Sequence, residues 1–273
     1  MNDAVGIAQS SVVYGQPWAE YYKVPALGSG GVEKLRQSPA HFKQQLDNPS
    51  DSTSDQAFGI TLHCAVLEPA RFAQDYVLAP QFDKRTNAGK AALAEWLESN
   101  RGKIGLVAEE MQRVNRCADS ISHHPAARRL LEKATKEISV YWHDQEFSIP
   151  CKARLDLCSL GGITDVKTTK DASREAFAKS IANYGYHRQA AHYWNGHEAC
   201  FDRSPEFWAW IAVESDEPHA VAVYEIGMAS LLVGRREVDE AYARYRDGLA
   251  TGVWRGYAET IEVIDVPAWA RRF

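Results

Sequence analysis

The run Arg154-Leu-Asp156-Leu-Cys158-Ser-Leu-Gly161-Gly162-Ile-Thr-Asp165-Val166-Lys167 decides how the rest of this 273-residue chain is read. Asp156 sits in an alternating segment that reads as a strand, and Gly161-Gly162 reads as a hairpin turn. A second short strand then carries Asp165 and Lys167. Side chains two apart along a strand point the same way, so Asp165 and Lys167 share a face while Val166 turns to the other. An antiparallel return through the turn brings Asp156 beside Asp165. Two carboxylates and an ammonium then converge on one spot, an arrangement that holds hard divalent cations and phosphates.

Bulk composition sets the setting for that spot. With 45% hydrophobic and 25% charged residues the chain falls in the ordinary range of globular proteins, and its length is ample for a real core. No run of eighteen apolar residues is present, so no membrane span is expected. Met1 to Ser11 lacks the basic and apolar succession of a secretory signal. Cysteines at 64, 117, 151, 158 and 200 form no Cys-x-x-Cys pair, which argues against a disulfide framework or a zinc or iron–sulfur site. A reducing cytoplasm is the expected compartment. The net charge of −5 speaks against a general nucleic-acid coat, yet an acidic metal site and a local basic groove can coexist.

Outward from the central run, residues 1–31 read as an extended or loosely packed lead-in with room for one short helix. Gly28-Ser29-Gly30 lacks the flanks of a hydrolase elbow. A helix is expected from Val32 to about Asp47, interrupted near Ser38-Pro39, and a turn-rich loop from Asn48 to Asp55. Ala57–Leu67 reads as a compact apolar helix capped by Ser54 or Asp55 and ended by Pro69. Its His63, taken alone, reads as a satisfied, partly buried histidine. Ala88-Gly89-Lys90 is not a phosphate loop, because Lys84 and Ala91 occupy the positions that need Gly and Ser or Thr. Lys84, Arg85 and Lys90 still make a basic stretch opening a helix toward Asn100, where a phosphate can be met, although a solvated surface loop is the simpler reading.

Helical spacing returns over Leu106–Ser120 and Pro125–Lys136, with His123-His124 as loop histidines between. Strands are expected over 137–142, 146–157 and 162–168. A long helix should then run from Arg174 to about Trp194, placing Gln189 and Tyr193 on one face. His187, His192 and His197 step by five and cannot share a face. Strands over 206–215 and 220–226, a helix over 228–249 and a docked tail with exposed Arg271 and Arg272 complete the chain. Helices followed by strands with helices interleaved imply an α/β (α+β) fold: a mixed central sheet flanked by helices, with an N-terminal helical region.

The chain resembles the nuclease region of RecE-like exonucleases (exonuclease VIII), RecB-like members of the PD-(D/E)XK superfamily with a restriction-endonuclease-like core. The resemblance rests on Leu62-His-Cys-Ala-Val-Leu-Glu-Pro69, Arg85-Thr-Asn-Ala-Gly-Lys90, Ser139-Val-Tyr-Trp142, Arg154-x-Asp156, Asp165-Val-Lys-Thr-Thr169 and Tyr186-His-x-Gln-x-Ala-x-Tyr193. Each is weak alone; six in order are specific. The resemblance implies a single domain over 32–273, helical over about 32–136 and catalytic over about 137–273. It implies Asp156 and Asp165 as metal ligands, the Val166 carbonyl as a third oxygen, Lys167 as the motif lysine, and Gln189 with Tyr193 flanking the site. His63 falls on the family's helical histidine, which reverses its bland reading, and Glu137 falls near a further acidic position. Lys84, Arg85, Lys90 and Arg154 are the residues to expect against DNA.

By the same resemblance the chain is expected to be a Mg²⁺-dependent exonuclease, with Mn²⁺ substituting, that degrades linear double-stranded DNA from 5′ ends. Its expected partners are double-stranded DNA ends, a RecT-like single-strand annealing protein and further copies of itself in a ring. A bacterial or prophage-encoded cytoplasmic protein is implied. A nuclease of other polarity, an endonuclease, and a non-catalytic DNA-binding or adaptor protein of the same fold are the alternatives.

Overall fold

Two layers of helix enclose one twisted sheet in the computed structural model, which describes residues 9–49 and 53–267. The N-terminal part is more integrated than a loose lead-in. Ser11–Val13 forms an edge strand, β1, and α1 spans Trp18–Lys23. Then come α2 (Ser29–Gln37) and α3 (Pro39–Asp47), broken where the Ser38 side chain caps the second helix by accepting the His41 N–H. Helix α4 runs over Ser54–Leu67. Its cap is Thr53, which exchanges bonds with Gln56 in a capping box, one residue before the expected position. Pro69 ends nothing; it opens α5 (Pro69–Asp75) from the first position, where its missing N–H is harmless.

An excursion follows: β2 (Tyr76–Leu78), α6 (Asn87–Ser99) and β3 (Ile104–Leu106), with β2 and β3 paired parallel. Helices α7 (Ala108–His123) and α8 (Pro125–Glu132) lead into β4 (Thr135–Asp144), which takes over the last residues expected to be helical. Its partner β5 (Ile149–Cys158) begins three residues later than expected because 145–148 make the turn. Strand β6 covers Gly162–Thr169. The helix expected over 174–194 is two, α9 (Arg174–Tyr184) and α10 (Tyr186–Phe201), because Gly185 adopts a left-handed conformation (φ 71°) that stops the first. Strands β7 (Phe207–Glu214) and β8 (Val221–Glu225) and helix α11 (Met228–Thr251) complete the fold. Beyond it Trp254 packs against the core while Ile261 and Val263 stand almost wholly in solvent, and the tail expected to dock over 267–273 lies, after Pro267, outside the described residues. Arg271 and Arg272 lie outside the described residues.

The sheet order is β1-β4-β5-β6-β7-β8, antiparallel except for the parallel β6–β7 pair joined through α9 and α10. The parallel pair requires the long crossover that these two helices supply. One face packs Ile163, Trp208 and Trp210 against α2, α10 and α11. The other packs Leu157, Val166 and Ile211 against Leu62 of α4 and Val114, Cys117 and Ile121 of α7. Each buried Leu or Ile there contributes roughly 1.5–3 kcal/mol. Close approach of α11 to α10 depends on Gly234, where a Cβ would meet the His187 carbonyl oxygen at 2.3 Å. Among the described residues no helix is long and apolar enough to cross a membrane.

Candidate active site

The β5–β6 hairpin is a fork. Its ladder has two rungs beside the turn, Leu157↔Thr164 and Cys158↔Ile163, whereas β6 pairs with β7 along all eight of its residues. Extending the two rungs by one sets Asp156 opposite Asp165, as the alternation predicts. From there the strands separate, and the backbone groups of Val166 that would have bonded to β5 are taken by side chains. The Val166 N–H donates to Asp156 Oδ2 at 2.8 Å, and the Val166 carbonyl meets His63 Nε2 at 2.6 Å. A buried backbone N–H and C=O demand partners, and here the partners are the candidate ligands themselves.

His63 comes from α4 on one side of the sheet. Burial, then the nearby Lys167 ammonium, lowers its pKa, so the ring is neutral near pH 7. With Nε2–H donating to Val166 O, Nδ1 points its lone pair at Asp156 Oδ2, 3.4 Å away. Two acceptors that face each other call for a proton or a cation between them. Glu137 on β4 lies opposite Asp156 by the register on either side of it, with a left-handed backbone (φ 53°) rare within a strand. Ligand atoms of His63, Glu137 and Asp156 lie within 4.8 Å of one another.

Electrostatics agree with that geometry. Burial, followed by the Asp165 charge, pushes the Asp156 carboxyl up to about 8; burial, followed by Asp156, pushes Glu137 up to about 7. Asp165 is 1% exposed. Its Oδ1 accepts from Gln189 Nε2 at 2.9 Å, and its Oδ2 is paired with the Lys167 ammonium at 2.6 Å. Crowded buried carboxylates and a neutral imidazole fit a divalent cation, and oxygen ligands with one nitrogen suit a hard or borderline ion. Burial opposes the charge on Lys167, but Asp165 and Asp156 outweigh it and hold the ammonium protonated. Lys167 is therefore a fixed positive charge and a donor.

Tyr193 is buried on α10 one turn beyond Gln189, and the pKa of its hydroxyl is pushed up to about 12, mainly by burial and in part by Asp165 and Asp156. Gln189 and Tyr193 thus sit over the carboxylates from the layer opposite His63. The structure brings His63, Glu137, Asp156, Asp165, Val166, Lys167, Gln189 and Tyr193 together at one place.

Arg154 differs from its expected role against DNA. It is 2% exposed and bonds through Nε to Glu137, with Nη1 donating to the Gln16 carbonyl at 2.6 Å and its guanidinium 4.2 Å above the Trp18 ring. It neutralises Glu137 instead of meeting solvent. Lys84, Arg85 and Lys90 stand exposed on the β2–α6–β3 excursion, Arg85 turned to Asp83 at 3.3 Å. Among the described residues none of the three touches a site residue. Two contributors have no signal in the sequence that gives them a role. Gln16 and Trp18 hold Arg154 from a segment with no local pattern, and Tyr186 of the Tyr-His-x-Gln motif places its ring 4.9 Å from Lys167 Nζ. The three helical histidines part as their spacing requires: His187 meets Glu237, His192 meets Tyr242 and the Lys152 carbonyl, and His197 meets the Arg203 carbonyl.

Two comparisons with solved structures follow this arrangement. A candidate exonuclease from Eubacterium rectale has a similar structure, with a TM-score of 0.61 at 11% identity over 85% of this chain and 87% of the other. A phage-related exonuclease from Haemophilus somnus 129PT aligns over 83% of this chain and 96% of its own with a TM-score of 0.37 and 12% identity. The first likeness is one of fold. No curated protein matches the chain. Residues 29–267 match the PDDEXK-like domain of unknown function (DUF3799), so the chain belongs to that family and has the PD-(D/E)XK nuclease fold.

Proposed function

We propose that this protein is a Mg²⁺-dependent exodeoxyribonuclease that degrades linear double-stranded DNA, with Mn²⁺ able to substitute. The observation that carries the reading is the meeting of His63, Glu137 and Asp156 with the Asp165–Lys167–Gln189 group at the mouth of the β5–β6 fork. When bound, the divalent ion supplies a water of lowered pKa and neutralises charge on the phosphate. Glu137, Asp156, Asp165 and His63 would hold it, the Val166 carbonyl joining if His63 turns aside.

The remaining work falls to the chain itself. Lys167, kept cationic by two carboxylates, places its ammonium where negative charge grows on the phosphoryl oxygens. Gln189 holds Asp165 in one orientation through its amide N–H, with the second carboxylate oxygen turned to Lys167. Tyr193, protonated at any physiological pH, offers a phenolic donor. Arg154 keeps Glu137 in place without entering the reaction.

Polarity from 5′ to 3′, leaving 3′ single-stranded tails for strand annealing, rests on the resemblance to RecE-like exonucleases. So do a RecT-like partner, a homo-oligomeric ring and a cytoplasmic, bacterial or prophage-encoded setting. The test is a Mg²⁺-dependent time course on linear duplex labelled at the 5′ or 3′ end, with closed circular DNA alongside. Release of 5′ label first from linear DNA, with circles intact and Lys167→Ala inert, is the expected result. Intact linear duplex, or Lys167→Ala digesting at the wild-type rate, refutes the reading. Light scattering that gives a monomer refutes the ring.

A further inference from the structure

Two aromatic shelves flank the row of catalytic side chains, and they are built alike. On the Lys167 side, the half-buried Tyr186 ring lies 4.9 Å from the ammonium, and the ring of Tyr184 rests 5.7 Å from Tyr186 at an interplanar angle of 30°. Tyr184 is 67% exposed. On the Glu137 side, the Trp18 ring lies 4.2 Å beneath the Arg154 guanidinium, and Tyr22 stacks on Trp18 at 5.4 Å and 29°. Tyr22 is 69% exposed and feels the charges of Arg154 and Glu137. Each end of the site therefore carries a cation, an aromatic ring against that cation, and an outer tyrosine presenting its ring to solvent.

Packing does not account for the outer rings. Both outer tyrosines leave most of their surface in water, although a large aromatic gains most by burial. Each rests against an inner ring that itself lies against a catalytic or ligand-pairing cation. An exposed ring beside a phosphate-hydrolysing centre suits a flat, apolar, polarisable ligand tethered to that phosphate. Nucleobases meet this description, and base–aromatic stacking tolerates any sequence. A ring can stack only on a base whose face is free, which in a duplex means a terminal or unpaired base.

Resting on the nuclease reading above, we propose that Tyr184 and Tyr22 are base-stacking subsites for the two nucleotides flanking the scissile phosphate. The strand being cut enters the site with its bases unpaired. The reaction then requires fraying of the duplex end, and a substrate already unpaired there binds better than a blunt one.

The experiment uses the full chain with Ca²⁺ replacing Mg²⁺ to slow cleavage, and a short single-stranded oligonucleotide carrying 2-aminopurine. Wild type should bind it with quenched fluorescence. Tyr184→Ala and Tyr22→Ala should each weaken binding about five- to hundredfold and relieve the quench, whereas Tyr→Phe at either position should bind like wild type. The penalty of each alanine variant should vanish on an oligonucleotide with an abasic residue at the matching position, which a merely structural effect would not do. In Mg²⁺ the loss should appear in KM more than in kcat. Alanine variants that bind and quench like wild type, or a penalty that persists on the abasic substrate, overturn the proposal. If wild type cuts DNA while the alanine variants are unaffected, only the shelves fail. If wild type binds with quenching yet never cuts, only the nuclease reading fails.

Discussion

Replacing Asp156 by Asn should stabilise the metal-free protein and abolish activity, and the size of the gain should depend on pH. In the fold the Asp156 carboxyl moves from its ordinary 3.8 to about 8 through burial and the Asp165 charge. The native state thus keeps a proton that the unfolded chain releases above its own pKa. Stability contributed by this group is full below about pH 4 and is lost as pH rises toward 8, the reverse of a carboxylate whose pKa is depressed. At about 1.36 kcal/mol per pH unit, the ionised carboxylate at pH 9 destabilises the fold by something on the order of 5 kcal/mol. An amide of the same shape avoids this: its oxygen can take the place of Oδ2 and accept the Val166 N–H without carrying a charge. For a chain of this size the gain at pH 9 in EDTA corresponds to a melting temperature higher by about 10 °C. Differential scanning calorimetry of wild type and Asp156→Asn between pH 5 and 9 should show a gap that widens up to about pH 8 and then levels. Added Mg²⁺ should raise the wild-type melting temperature and leave the variant unmoved, since a ligand stabilises only the state that binds it. A gap that shrinks with pH, or a variant less stable than wild type at pH 9, would refute the account of the site as a set of crowded carboxylates awaiting a cation.

Lys167→Met should keep the fold and lower cleavage at least a hundredfold, read as kcat on linear duplex, because it deletes the only ammonium against Asp165 among the described residues. Arg154→Met alone should destabilise by about 3–5 kcal/mol, since the buried Glu137 carboxyl loses its ion-pair partner; adding Glu137→Gln should recover much of it, as urea unfolding of the double-mutant cycle will show. Gly185→Ala should lower the melting temperature, because a Cβ at that left-handed position would lie 2.4 Å from both Arg188 Nη2 and Glu33 Oε2. The expected loss is about 2 kcal/mol or more, and a neutral result would show that the α9–α10 corner relaxes freely.

Much of this site is legible in the residues because its logic is local. Alternation puts Asp165 and Lys167 on one face, the short return fixes Asp156 opposite, and helical spacing aligns Gln189 with Tyr193. Glu137 and His63 come from distant elements, and no local rule joins them to Asp156. Their places were reached through family likeness, and the structure explains them by the backbone groups of Val166 that need partners. Arg154 misled for a physical reason. An arginine next to a site aspartate resembles a phosphate contact unless the residue burying it is known, and that residue is Trp18, over a hundred positions away in the chain. The single helix expected over 174–194 failed at one glycine, since Gly within a helical pattern weakens a helix without always ending it. Lys136 reads as helical because the apolar helical pattern before it blends into the strand alternation after it.

The fork in the β5–β6 hairpin also separates what can drift from what cannot. Its two closed rungs lie toward the turn, where Leu160 is 86% exposed, and its open mouth lies at the carboxylates. Residues 159–161 can therefore lengthen, shorten or accept a grafted peptide while the rungs hold Asp156 and Asp165 in step. A single residue inserted between Ile163 and Asp165 would instead turn every later side chain of the strand to the opposite face, sending Lys167 into the Leu62–Val166 core. The turn is thus a place where relatives can diverge in length or where a reporter can be spliced in, and the five residues after it tolerate no change of spacing.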